Sequence, residues 1–346
     1  MERATGRMVS RSRTAVATSL VAGLILAAIY APGATASGTV TYNPLVATWV
    51  NGVSQAQLET TVRELSGEQA AIIGGSSYTI QTRASSSGMP IDKAEQYVFE
   101  KMQSYGLGSV TYQAFPGKGG SAPSGRNVIG QITGTTKPNE IVVVSAHLDN
   151  RPWDVLAYGA DDDASGVSAM LYLARSFAGK SFARTIRFVA FGDEENAPWT
   201  SSAYGSGYYA AQAKAAGENI VAEIDADAIA YNTTGQIAYM VTRSGRKDLG
   251  GGDAAIATMW MDAVATYGIT GITPLQQASG DNLSDHGSFW KNGYHAVMLI
   301  ERDDVANPNW HTLNDRITTF NWPFYIAVTR SFVATAAHEA QIISTN

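Results

Sequence analysis

Four apolar runs constrain this chain most: EIVVVSAHL (140–148), TIRFVAFG (185–192), NIVAEIDADAIA (219–230) and HAVMLIER (295–302). Each is too short for a buried helix and too continuously apolar for a strand with one wet face, so each reads as a strand covered on both sides. Between them lie helical patterns at 164–178, 206–217, about 253–267 and about 322–342. Leu58, Val62 and Leu65 fall at helical spacing further upstream, as do Ile91, Ala94, Val98, Met102 and Tyr105. SVTYQAF (109–115), NVIGQITG (127–134) and QIAYMVT (236–242) add strands, and the polar TTKPN predicts an antiparallel hairpin joining NVIGQITG to EIVVVSAHL. The pattern implies an α/β fold: a single domain with a central mixed β-sheet flanked by helices on both faces.

The 346 residues contain no cysteine, which excludes disulfides, thiolate metal sites and cysteine nucleophiles. A metal would have to be held by carboxylates and by the five histidines, His147, His286, His295, His311 and His338. The formal net charge is −6. Four arginines (Arg3, Arg7, Arg11, Arg13) lie in the first 36 residues against one acid, Glu2, so the remainder is more acidic still. Without a basic run or patch, nucleic acid is not an expected partner.

Residues 1–36 have the layout of a signal peptide: a basic stretch to Arg13, the uncharged run TAVATSLVAGLILAAIY, then small residues with Ala34-Thr35-Ala36 before Ser37. The run from Thr14 to Tyr30 is near the lower limit for a membrane span, and Pro32 favours cleavage over anchoring. The expectation is a secreted or periplasmic bacterial protein with no membrane attachment after cleavage. Residues 37–54 are polar without clear periodicity and read as a mobile leader or short propeptide. Residues 55–346 then form the main folded domain.

Chemistry should gather at the carboxyl ends of the strands. These exits carry His147 and Asp149, the loop GADDDASG (159–166), GDEEN (192–196), Asp225 and Asp227, and NWHTLND (309–315). Taken singly, each is better explained as ordinary structure: an acidic helix N-cap, a solvated Glu pair, a hydrogen-bonded histidine. Taken together, several carboxylates packed behind apolar strands are costly without a multivalent cation, and a His/carboxylate set suits Zn²⁺.

SAHLD (145–149), GADDDASG (159–166), GDEE (192–195), IDADAIAY (224–231), SDHGSFW (284–290) and NWHTLND (309–315) resemble, in order, the co-catalytic zinc aminopeptidases of metallopeptidase family 28. That resemblance implies a zinc-exopeptidase fold of the phosphorylase/hydrolase-like type. It implies two Zn²⁺ per chain, one on His147 and Asp227, the other on Glu195 and His311, with Asp162 bridging. Asp162 is the family's bridging position, fourth in the motif from Gly159 and followed there by a cis peptide bond. Glu194 would be the general base and acid, Asp149 would orient the His147 ring, and Asp285, with Ser284 and His286, would stand behind or beside the ligands.

The implied activity is that of a secreted aminopeptidase acting on peptides or proteins with a free N-terminus, expected as a monomer. Three alternatives stand beside it: a glutaminyl cyclase-like acyltransferase using one zinc, a carboxypeptidase with Arg302 as its basic group, and a non-catalytic binding ectodomain. Leu283 occupies a position where some relatives carry an Arg.

Overall fold

The computed structural model describes residues 40–117, 125–151, 156–195, 201–243, 252–279, 282–302 and 306–343. The expected signal peptide, 1–36, lies outside these residues.

The described residues open with helices α1 (Pro44–Gly52) and α2 (Gln55–Leu65), a small hairpin of β1 (Ala71–Ile73) and β2 (Ser76–Tyr78), and helix α3 (Met89–Ser104). Next come β3 (Ser109–Phe115), β4 (Gly125–Ile132), β5 (Lys137–His147), α4 (Ala164–Phe177), β6 (Arg184–Phe191), α5 (Gly205–Ala215) and β7 (Asn219–Ala226). The remainder is β8 (Ile237–Arg243), α6 (Gly252–Thr266), β9 (Thr273–Ser279), α7 (Asp285–Lys291), β10 (Ala296–Glu301) and α8 (Trp322–Glu339). Eight strands form one mixed sheet in the order β3-β4-β6-β5-β7-β10-β8-β9.

Strands β6, β5, β7 and β10 run parallel at its centre. Alternate residues of β5 serve opposite layers. Val142, Val144 and Ala146 join Val167, Leu171, Trp260, Phe324 and Phe332 on one face. Ile141 and Val143 join Tyr209, Phe289 and Trp290 on the other. Helices therefore cover both faces, with α4, α6 and α8 opposite the thinner layer of α5 and α7. From β5 the chain steps one way to β6 through α4, then back across to β7 through α5, so the sheet order reverses at β5. Ligand sites in open α/β sheets form at the carboxyl side of such a reversal.

The expected β4–β5 hairpin is not formed. Strand β6 lies between them, antiparallel to β4 and parallel to β5, and β4 instead pairs antiparallel with β3. The linker holds the entry of β6 as it crosses: Gly134 N–H donates to Thr185 Oγ1 at 3.0 Å, Thr135 N–H to Phe182 O at 2.9 Å and Lys137 N–H to Ala183 O at 2.7 Å. A turn-like sequence between two strands thus serves as a bridge over a third.

Within the segment expected as a mobile leader or short propeptide, 37–54, residues 44–52 are ordered. Pro44–Gly52 is a helix capped by the Asn43 side chain, which accepts from Leu45 N–H at 2.9 Å. Its Val46, Trp49 and Val50 are buried, with the Trp49 ring 4.8 Å from that of Phe177, and Tyr172 Oη donates to Trp49 O at 2.9 Å. Burying an indole and two valines favours this order by several kcal/mol, on the scale of about 1.5–3 kcal/mol per large apolar side chain.

Candidate metal centre

Five side chains converge at the carboxyl ends of β5, β6 and β7. His147 is the last residue of β5, Asp162 lies in the loop before α4, Glu195 follows β6, and Asp227 follows β7. His311 comes from the segment between β10 and α8. Asp162 stands in the middle. Its Oδ1 is 3.0 Å from His147 Nε2 and its Oδ2 is 3.2 Å from His311 Nε2. Asp227 Oδ1 lies 3.4 Å from His147 Nε2, and Glu195 Oε1 lies 3.0 Å from His311 Nε2. Two donor sets result, His147/Asp162/Asp227 and Asp162/Glu195/His311, each with its ligand atoms within 4.8 Å of one another. They share one carboxylate.

The acidic triplet divides its labour. Asp161 is buried, its Oδ1 accepting the Ala230 N–H at 2.9 Å and its Oδ2 the Asn307 amide at 3.2 Å. Asp163 caps α4, accepting Gly166 N–H at 2.8 Å and His147 N–H at 3.2 Å. Asp162 alone turns both oxygens to imidazoles, and the peptide bond after it is cis. Gly166 lets α4 start this close to β7, because a Cβ there would collide with the Ala226 carbonyl oxygen. His311 (φ 60°) and two non-glycine residues near the donor sets, Asp193 (φ 64°) and Ala228 (φ 47°), take left-handed backbone angles. Such conformations cost on the order of 1 kcal/mol each and persist where surrounding contacts impose them.

Asp149 lies against the His147 ring, whose Nδ1 is 3.1 Å from the Asp149 carbonyl oxygen and 3.8 Å from carboxylate Oδ1. The carboxylate also accepts the N–H groups of Glu194 at 3.0 Å and Glu195 at 3.1 Å, and the Ser85 hydroxyl at 2.7 Å. It fixes the turn that carries both glutamates. Ser284 lies beneath Asp227, its hydroxyl 2.7 Å from Asp227 Oδ2 and 3.0 Å from Asp225 Oδ2. Asp285 is buried near Asp225, and His286 sets its ring edge-on to Trp290 with Nδ1 3.9 Å from Asp225 Oδ2. His295 and His338 are elsewhere, beside Asp253 and Tyr267. Arg302 is exposed after β10, and Leu283 is exposed just before Ser284.

The electrostatics match a site made for a cation. Burial pushes the Glu195 carboxyl up to about 7, and it raises Glu194 well above the usual range, with Glu195, Asp227 and Asp285 adding to the effect. Burial alone would lower His311, but the Asp162 and Glu195 carboxylates hold it up at about 9. Burial opposes protonation of His147 as well, and Glu194 and Asp227 outweigh it. Asp162 is held far below its usual value despite burial, because both imidazoles bond to it. The donors are nitrogen and oxygen only, three per set, and no Lys or Arg contributes to either. That composition fits zinc with a position left open on each side.

Asp315 was not assigned a role from sequence, although it belongs to the motif carrying His311. Its two oxygens accept the N–H groups of Asp161 at 2.8 Å and Asp162 at 3.2 Å. Ser85 and Arg83 carried no sequence signal; their parts depend on loops distant in the chain.

Comparison with known proteins gives the same direction. A probable zinc metalloprotease of Pyricularia oryzae is 38% identical over 112 residues, 31% of this chain and 21% of that protein. Aminopeptidase YwaD of Bacillus subtilis is 28% identical over 194 residues, 54% of this chain and 39% of that one. The matches to the first four curated relatives span 21–38% of those proteins' own lengths. LapB of Legionella pneumophila shares the fold, with a TM-score of 0.68 at 23% identity, over 88% of this chain and 77% of that one. The pattern of peptidase family M28 matches residues 127–336, a span holding every residue of both donor sets, and the chain belongs to that family.

Proposed function

We propose that this chain is an exported di-zinc aminopeptidase that removes N-terminal residues from peptides as a monomer. The observation that carries the reading is the Asp162 carboxylate, which directs one oxygen to each imidazole. Asp162, shared between the two three-donor sets, would hold a pair of zinc ions together with His147, Asp227, Glu195 and His311. Zinc there would supply Lewis acidity, acidifying water and polarising the scissile carbonyl.

The remaining steps fall to the chain's own groups. Glu194 takes the proton of the attacking water and returns it to the leaving amine. Its carboxylate is buried near His147 and among Glu195, Asp227 and Asp285, so it holds a proton more readily than a surface glutamate does. The cluster's excess of carboxylates gives counter-charge to a substrate's free ammonium group. The names of the Pyricularia oryzae and Bacillus subtilis relatives support zinc-dependent peptide hydrolysis, and the sequence layout of residues 1–36 supports export.

The test is hydrolysis of one short peptide, free and N-acetylated, before and after chelation and zinc return. Cleavage of the free form alone, abolished by chelator and restored by zinc, is the expected result. Cleavage of both forms would replace the aminopeptidase reading by an endopeptidase or carboxypeptidase. Cleavage of neither by protein holding two zinc ions would turn attention to cyclisation of N-terminal glutamine. Sequencing the N-terminus of exported protein should find Ser37 or a later residue.

A further inference from the structure

Arg83 is wholly buried, yet its side-chain hydrogen bonds all run to backbone carbonyls. Nε donates to Leu148 O at 2.7 Å, Nη1 to Leu65 O and Tyr158 O at 2.9 Å each, and Nη2 to Gly159 O at 2.7 Å. Leu148 follows His147 directly. Tyr158 and Gly159 open the loop that delivers Asp162. Asn150 completes the junction: its Oδ1 accepts Arg83 N–H at 3.1 Å, and its Nδ2 donates to Ala157 O at 2.8 Å. Gly159 has φ +57°, and a Cβ there would sit 2.8 Å from Arg83 Nη2 and 2.5 Å from Asp162 O. The loop fits only because the guanidinium can come against bare backbone.

The charge has a second consequence. Burial works against that charge and lowers the guanidinium's affinity for its proton, while Asp315, Asp163, Asp162 and Asp149 act in its favour. Three of these form an outer ring. Asp149 grips the N–H groups of Glu194 and Glu195, Asp163 those of His147 and Ala228, and Asp315 those of Asp161 and Asp162. Each anchors backbone at or next to a ligand. A guanidinium paired directly with the inner carboxylates would occupy the oxygens a cation needs. Placed behind the backbone and bonded only to carbonyl oxygens, it leaves the inner carboxylate oxygens facing one another.

We propose that Arg83 is a positioning residue of the metal centre: its planar fork fixes the two segments that present His147 and Asp162. The proposal rests on the di-zinc reading above. Lysine cannot replace the fork, since an ammonium has no fixed planar set of donors.

The experiment uses the full mature chain with Arg83→Lys and Arg83→Met. Arg184→Met serves as control, because Arg184 pairs with Glu140 and Glu339 at the far end of the sheet. Zinc affinity is read by competition with a chromophoric chelator, site geometry by the visible spectrum of the cobalt(II) form, and folding by circular dichroism. Arg83→Lys should weaken zinc binding tenfold or more and alter the cobalt bands, while Arg184→Met lowers thermal stability and leaves both readouts unchanged. Wild-type zinc affinity together with a wild-type cobalt spectrum in Arg83→Lys would overturn the proposal, whatever its stability. If the Arg83 variants fail to fold, Asn150→Ala removes one strut and keeps the guanidinium. It should show a smaller shift of the same kind, and wild-type affinity and spectrum there would overturn the proposal. A wild-type protein that binds no zinc would instead refute the metal-centre reading itself.

Discussion

Stripped of divalent cations, this protein should lose stability as pH rises from 6 to 10, the reverse of what an ordinary salt-bridged site would do. In the metal-free fold Glu195 titrates at about 7 against an ordinary 4.5, and His311 at about 9 against 6.5. Both folded-state values lie above the unfolded ones, so the native chain binds more protons and each added pH unit favours unfolding. The Glu195 contribution is complete below its ordinary value and disappears as pH passes about 7; that of His311 is complete below 6.5 and disappears through about 9. His147 and Glu194 shift in the same direction. Asp162 is depressed, and its contribution is lost only under strong acid, outside this window. Integrating the two valued groups from pH 6 to 10 gives a loss on the order of 5 kcal/mol. For a folded body of about 300 residues, that is a fall of ~5–10 °C in melting temperature. The assay is a thermal melt followed by circular dichroism at each pH, in chelator and in excess zinc. Zinc must displace these protons to bind, so its stabilisation should grow with pH and cancel the fall. His311→Gln should remove about two-thirds of the loss that these two groups contribute. A flat or rising apo profile, with or without His311, would refute the electrostatic account of the site.

The remaining expectations concern single residues. Glu194→Gln should keep metal content and melting temperature close to wild type and lower kcat by several orders of magnitude, read in the free-peptide assay; near-normal turnover would remove it as the base. Asp162→Asn removes a ligand from both donor sets, so zinc stoichiometry measured by atomic emission after dialysis should fall below two, and an unchanged value would show that the carboxylate does not bridge. Trp49→Ala should cost about 3–5 kcal/mol by loss of a buried indole. A variant as stable as wild type in chemical denaturation would mean that α1 is a detachable leader after all.

The parallel centre of the sheet was readable because four strands buried on both faces leave continuous apolar runs. What surrounds it was harder. The β4–β5 linker has the polar, proline-containing look of a hairpin turn, and nothing local distinguishes a turn from a bridge over the entry of β6. Helix α1 did leave a signal: Val46, Trp49, Val50 and Val53 follow helical spacing behind an Asn-Pro start, but nine residues of pattern in a segment expected to be a leader carried little weight. Strand β9 alternates exposed and half-buried residues at the sheet edge, and α7 is seven residues buried nearly all round, so neither shows a usable period.

The site posed the sharper problem, since adjacent acids of identical type had to be told apart. Asp161, Asp162 and Asp163 differ neither in chemistry nor in burial. They differ in what meets their oxygens. Asp161 and Asp163 receive backbone N–H groups, as do Asp149 and Asp315, so their oxygens are already committed to holding the main chain. Asp162 and Glu195 receive imidazole nitrogens, which can donate only while those rings hold a proton there. Asp227 receives one imidazole and one serine hydroxyl. On the proposed metal reading, those rings would give up these protons when a cation takes the same oxygens. The division between anchoring and ligating acids therefore follows from where the backbone donors point. That is set by β5, β7 and the start of α4 coming together in space, a property that no single motif encodes.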